Sequence, residues 1–277
     1  MDASPSILAA VALQLALAAI GLVLLWRCVL SPAARRSAGP SPLPYWDPEV
    51  VEFFVLVLMV MLGVFFFASL GAVASRHFGL TGDAGSIAAG AGQQFGMLAA
   101  MLAFASRSPG FRLQAPRGAL DVLRSGLVTF LISLPLLHLA SQLWEWLLRA
   151  AGVEARRQDL VRVFNDADSR VFLAALIFLA VVVAPLAEEL VFRAGIFRFL
   201  RSRLPKFVAL LAPAVAFAAL HVNWTTLEGL VSFVPLILLA VIYSLAYERT
   251  GNIGTTIVAH ALFNLNTIVM IFCGLGE

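Results

Sequence analysis

Long apolar runs follow one another along nearly the whole of this 277-residue chain. Each run is about 20 residues long, which is the length that an α-helix needs to cross a hydrocarbon layer about 30 Å thick. Of the residues, 61% are hydrophobic and 13% are charged, whereas an ordinary soluble domain is about 25% charged. The sequence therefore predicts an all-α, polytopic membrane protein with about eight transmembrane helices in one bundle.

Polar connections separate the apolar runs and set the predicted helix boundaries. The first run is interpreted as a retained membrane helix and not as a signal peptide, because its arginines follow the run instead of preceding it. The predicted membrane segments cover residues 6–29, 50–74, 85–106, 120–147, 171–195, 206–222, 227–247 and 254–274.

The side chains that can do chemistry gather after residue 180, and this suggests a division of the chain. Residues 1–170 are expected to hold helices one to four and a polar segment at 149–170 that could lie on the membrane surface. Residues 171–277 are expected to hold helices five to eight of the same continuous bundle. The first three segments are assigned no functional side chain.

Two glutamates and an arginine end the fifth run, in VVVAPLAEELVFRAG, residues 181–195. A charged side chain at mid-bilayer costs about 2.5–3.5 kcal/mol on insertion scales. Glu189 and Arg193 are four residues apart, so they share a helix face, where hydrogen bonds between them offset their burial. Glu188 is turned by about 100° from Glu189, and it is a candidate general base toward water. The alternative is an ion pair that only joins two helices, but such a pair needs no second glutamate.

Two later segments bring further polar side chains into apolar runs. FAALHVNW places Phe217 and His221 one turn apart, so that the phenyl ring can pack on the imidazole. HALFN places His260 and Asn264 one turn apart as well. Taken alone, each pattern is more typical of packing or of helix–helix hydrogen bonds. Together with Glu188, these groups could hydrolyse an amide bond, with one removing a proton from water and others stabilising the oxyanion.

Other intramembrane protease chemistries lack their motifs in this chain. None of the four histidines begins an HExxH zinc motif, and no GxSxG is present. The aspartates lie outside the apolar runs or at their margins, so an aspartyl dyad within the bilayer is not expected. The sequence contains no basic patch with interleaved aromatic residues, so nucleic-acid binding is not expected.

Three motifs on successive late segments resemble those of the CPBP family, the CAAX-protease and bacteriocin-processing intramembrane endopeptidases, also called Abi or Rce1-like. The resemblance covers about residues 171–274, and it implies a helical bundle with a conical, water-accessible cavity and a catalytic core at 171–277. The motifs are EExxxR (Glu188, Glu189, Arg193), FxxxH (Phe217, His221) and HxxxN (His260, Asn264).

The resemblance implies glutamate-type peptidase chemistry. By motif, Glu188 is expected to activate water with the assistance of His221. His260 and Asn264 are expected to stabilise the oxyanion. The expected supporting residues are Glu189, Arg193 and Phe217.

No cofactor is expected, and the alternative is a zinc-dependent peptidase whose metal is held by Glu188, His221 and His260. The expected partners are membrane lipid and a membrane-associated protein or peptide that is CAAX-type, prenylated or bacteriocin-like, with no nucleic acid. The expected location is the plasma (inner) membrane of a prokaryote, as an integral multi-pass protein. The alternatives from other classes are a non-catalytic scaffold or partner-binding protein and a small proton-coupled transporter.

Overall fold

A computed structural model describes residues 5–37, 39–43, 46, 48–80, 82–108, 111, 118–153 and 170–275. Within these ranges the chain consists of helices and their connections, without β-strands. The long helices of the described chain are α1 (Pro5–Leu30), α2 (Val50–His77), α3 (Ala84–Arg107), α4 (Ala119–Ala150), α5 (Arg170–Arg203), α6 (Lys206–His221), α7 (Gly229–Thr250) and α8 (Ile253–Phe272).

Seven of these eight long helices of the described chain have the length and apolar composition to cross a membrane. The exception is α6, whose 16 residues span only about 24 Å, less than a hydrocarbon layer of about 30 Å. In contrast, α5 continues to Arg203, beyond the end predicted at residue 195. The prediction of an all-α, polytopic membrane protein with about eight helices is confirmed.

Large apolar side chains are exposed along the helices. On α2, Leu62, Phe65 and Phe66 are 60%, 67% and 65% exposed. Soluble monomers rarely expose apolar patches of this kind, whereas the acyl chains of a bilayer solvate them. This exposure fits an integral, multi-pass membrane protein.

The described chain divides into two compact units, and neither is a continuous stretch of sequence. The predicted boundary at residue 170 was placed by where the candidate functional side chains gather and not by how the chain packs, so it stays a prediction. The predicted surface segment at 149–170 falls mostly on residues 154–169, which lie outside the described residues. The first unit consists of the described parts of 1–43, 116–165 and 210–277, and the second of those of 44–115 and 166–209.

In the first unit, α4 packs against α1, α7 and α8. A short turn joins α7 to α8. Gly251 ends α7 with a φ of 63°, a left-handed conformation that favours glycine. The side chain of Asn252 then accepts a hydrogen bond of 2.8 Å from the Gly254 N–H and begins α8. Because the turn is this short, α7 and α8 are antiparallel neighbours, and Tyr243 lies beside His260.

In the second unit, glycines bring α2 and α3 into backbone contact. A Cβ atom added to Gly96 would lie 2.2 Å from the carbonyl oxygen of Gly63, and one added to Gly92 would lie 2.2 Å from that of Phe67. Small residues allow membrane helices to approach this closely, and the close approach gains van der Waals contact along both backbones. Gly92 and Gly96, one turn apart, therefore define the face of α3 that packs against α2.

We expect Gly96→Ala to destabilise the protein by about 1–3 kcal/mol, because the new methyl group overlaps a backbone oxygen that has no room to move. Thermal unfolding of the purified protein in lipid nanodiscs measures this change. The matched control is Gly90→Ala on the same helix, where an added Cβ has open space around it. The control should be neutral or stabilising by up to about 1 kcal/mol through helix propensity. Equal stability of the two variants would contradict the proposed contact.

Candidate active site

The geometry of α5 changes on both sides of its two glutamates. Wider, π-helical turns run over Leu179–Val183 and Leu190–Phe197. The six residues between them, Ala184–Glu189, are α-helical and include Pro185, which has no N–H to donate. Turns of the π type are rare and concentrate at functional sites, because they alter the direction of the side chains around them. The acidic pair therefore occupies a local irregularity in a long helix.

Glu189 and Arg193 form a buried ion pair. Arg193 Nη1 lies 3.0 Å from Glu189 Oε1, and the two side chains are 1% and 0% exposed respectively. The shared helix face predicted from their spacing is thus confirmed. Since each charge is out of contact with solvent, loss of one partner would remove the opposite charge that lies against the other in the interior.

Glu188 has a different kind of partner. The side-chain Nε2 of Gln94, on α3, donates a hydrogen bond of 3.1 Å to Glu188 Oε1. Glu188 itself is 6% exposed. A guanidinium thus pairs with Glu189, and a neutral amide donates a hydrogen bond to Glu188.

Gln94 is absent from the sites predicted from the sequence. The third segment contains two consecutive glutamines, Gln93 and Gln94, within an otherwise apolar run. An amide in such a run is costly unless it finds a hydrogen-bond partner, so this pair was a usable signal. The sequence alone does not choose between the two, and the structure does, because Gln93 is exposed.

His221 lies at the end of α6, one turn after Phe217. The Phe217 ring is centred 4.3 Å from the imidazole, which confirms the predicted ring packing. His221 Nδ1 lies 2.7 Å from the Phe217 carbonyl oxygen. A carbonyl only accepts, so Nδ1 carries the hydrogen, and Nε2 is the acceptor nitrogen of the neutral ring. His221 is exposed.

His260 is buried in the first unit, at 4% exposure. Its ring centre lies 6.3 Å from that of Phe217 in an edge-on contact and 5.6 Å from that of Tyr243. Asn264 follows one turn later on α8 and is half-buried. Phe217 thus contacts both histidines, which gives it a supporting position between the FxxxH and HxxxN motifs.

The structure brings the acidic motif together within the second unit and the two histidine motifs together within the first. The convergence of all three motifs on one hydrated site stays a prediction, and so do the catalytic roles assigned to individual side chains. Within the described ranges, no three His, Cys, Asp or Glu side chains are grouped so as to hold a metal ion.

A comparison with protein-family models matches residues 170–266 to the family described as Type II CAAX prenyl endopeptidase Rce1-like. This confirms the family resemblance for the C-terminal region. The matched range includes the three motifs, from Glu188 to Asn264, and leaves Gln94 outside. No curated protein and no solved structure matched the chain in the corresponding searches.

We expect Arg193→Gln to destabilise the protein by about 3–5 kcal/mol, because the change leaves the Glu189 charge buried without its cation. Denaturant unfolding of the protein in mixed micelles measures this loss. The matched control is Arg149→Gln, which removes an ion pair with the same four-residue spacing to Glu145. Since the Arg149 side chain is 66% exposed although that of Glu145 is 9% exposed, solvent screens this pair in part, and its loss should cost less than that of the fully buried pair. Similar losses for both variants would contradict a stabilising role specific to the buried pair.

Proposed function

We propose that this chain, which carries an Rce1-like domain at residues 170–266, is an intramembrane endopeptidase that hydrolyses a peptide bond with water activated by Glu188. The observation that supports the proposal is the hydrogen bond from Gln94 to Glu188, next to the ion pair of Glu189 with Arg193. Arg193 pairs with Glu189, whereas Glu188 accepts a hydrogen bond from an amide. This arrangement suits a supporting role for Glu189 and a reactive role for Glu188.

In the proposed reaction, Glu188 takes one proton from a water molecule as the water oxygen attacks the carbonyl carbon of the scissile bond. The electron pair of the carbonyl double bond moves onto its oxygen. His260 and Asn264 donate hydrogen bonds to this oxyanion and stabilise it. When the carbonyl re-forms, the C–N bond breaks, and the proton held by Glu188 passes to the leaving amine.

His221 is proposed to assist the water. The hydrogen bond from its Nδ1 to the Phe217 carbonyl fixes the ring and its tautomer. Its Nε2 is then an acceptor through which the proton that the water gives to Glu188 can pass on to the leaving amine. The packing of Phe217 against this ring and against His260 would hold both imidazoles in orientation.

The proposed substrate is a membrane-associated peptide, and the family description makes a prenylated CAAX-type C-terminus the first one to test. A bacteriocin-like peptide is the second. A membrane-embedded site suits either, because both place the scissile bond near lipid. The plasma membrane of a prokaryote is the proposed location.

We expect Glu188→Gln to lower peptide hydrolysis at least about hundredfold, because an amide does not take a proton from water. The purified protein in lipid vesicles is incubated with a prenylated CAAX peptide in ¹⁸O-labelled water. Mass spectrometry then follows release of the C-terminal fragment and the label in the new carboxylate. The matched control is Glu145→Gln, a glutamate of α4 that is 7% exposed and so as buried as Glu188; it should keep wild-type activity.

Equal activity of Glu188→Gln and the wild type would remove Glu188 from the chemistry. A wild-type protein that cleaves neither the prenylated nor the bacteriocin-like peptide would favour a scaffold or partner-binding protein, in which a glutamine at 188 still forms hydrogen bonds.

Hydrolysis is expected to survive removal of metal ions, because the proposed base acts on water directly. The activity of vesicle-embedded protein is measured after dialysis against a strong zinc chelator, with metal content checked by mass spectrometry. Loss of activity that zinc alone restores would replace this mechanism with one in which Glu188, His221 and His260 hold the metal.

A further inference from the structure

Gln94 contacts the proposed base from outside the family-matched region. Its side-chain Nε2 lies 3.1 Å from Glu188 Oε1 and donates a hydrogen bond to it. With Glu188 as an ionised carboxylate, which only accepts hydrogen bonds, the N–H₂ end of the Gln94 amide is the end that faces it. Gln94 is thus a neutral donor to one of the two oxygens of Glu188.

The packing of α3 directs this donor. Gly92 and Gly96 face α2, and Gln94 is two residues from each, about 200° around the helix. Its side chain therefore leaves α3 on the side away from α2, and α5 packs against α3 within the same unit. The glycine contacts leave α3 little freedom to rotate, so the amide is held where Glu188 needs it.

The other end of the Gln94 amide is buried as well. Its Oε1 is shielded from solvent and makes no hydrogen bond with any residue that the structure describes. Buried acceptors are paired in nearly all native structures, and an exception calls for a water molecule, a ligand or a functional explanation. A carbonyl oxygen at this place is an acceptor for a water molecule or a peptide N–H near Glu188.

We propose that Gln94 is a positioning residue for the peptidase reaction: its N–H₂ orients the Glu188 carboxylate, and its carbonyl oxygen accepts a hydrogen bond from the water that Glu188 activates. This inference rests on the proposed function. In the reaction, one hydrogen of the water goes to Glu188. The other stays on the water oxygen and is hydrogen-bonded to Gln94 Oε1, while that oxygen attacks the substrate carbonyl. Because the amide carries no charge, it orients the base without neutralising it.

Three variants test the proposal in the vesicle assay with the prenylated peptide. Gln94→Met has a similar length and removes both the donor and the acceptor. Gln94→Glu keeps an acceptor oxygen but replaces the amide N–H by a group that donates only when it is protonated. Gln93→Met is the matched control, one residue away on the same helix and exposed. Thermal unfolding of each variant checks that the fold is kept.

Gln94→Met should lower kcat roughly tenfold to hundredfold, the loss expected for one hydrogen bond to a charged group. KM should change little, because the amide acts on the base and the water and not on substrate binding. Gln93→Met should match the wild type in both constants.

Gln94→Glu should shift the pH profile of kcat to more acidic values than the wild type. Below the titration of the new carboxyl group, its O–H donates to Glu188 in place of the amide. Above it, two carboxylates repel and the orientation is lost. Gln94→Met adds no titrating group, so its loss of kcat at unchanged KM is the readout that a role confined to packing would not produce.

The inference is overturned if the wild type is active and Gln94→Met keeps kcat within about twofold of it, or if Gln94→Glu keeps the wild-type pH profile. Should Gln94→Met unfold, the pH profile of Gln94→Glu decides alone. An inactive wild type refutes the proposed function and this inference with it, so the two failures are distinguishable.

Discussion

The ion pair between Glu189 and Arg193 lies inside a membrane-spanning helix, where neither charge reaches solvent. Lipid offers a lone charge no compensation, so the helix has to carry the compensating charge itself, one turn away. Once the guanidinium is engaged by Glu189, a second acid can be placed beside the pair. Glu188 occupies that place, at the end of a short α-helical stretch that lies between two π-helical turns.

The choice of partner separates the two acids chemically. An arginine partner offers a full positive charge, and Arg193 places it 3.0 Å from Glu189 Oε1. An amide donor occupies one oxygen and leaves the net charge of the acid unchanged. A carboxylate that has to accept a proton during a reaction is better served by the second arrangement. The neighbouring acids can therefore share one backbone environment and still take different roles.

Hydropathy predicted most of the fold, because the length of an apolar run is set by the thickness of the bilayer, a constraint that is independent of tertiary packing. Spacing predicted the Glu189–Arg193 pair and the packing of Phe217 on His221, since both are contacts within one helical turn. Gln94 was not predicted because its hydrogen bond to Glu188 joins two helices that are far apart in the sequence. The π-helical turns of α5 were not predicted for a related reason: composition does not indicate where a helix widens.

The backbone contact between Gly63 and Gly96 has a consequence for how this protein tolerates changes in length. Inserting or deleting one residue between Gly92 and Gly96 would turn one end of α3 by about 100° relative to the other. The helix would then keep either the contacts of both glycines with α2 or the present direction of the Gln94 side chain, but not both. α3 would still be long enough to span the membrane, but the proposed orientation of Glu188 on α5 by Gln94 would be lost.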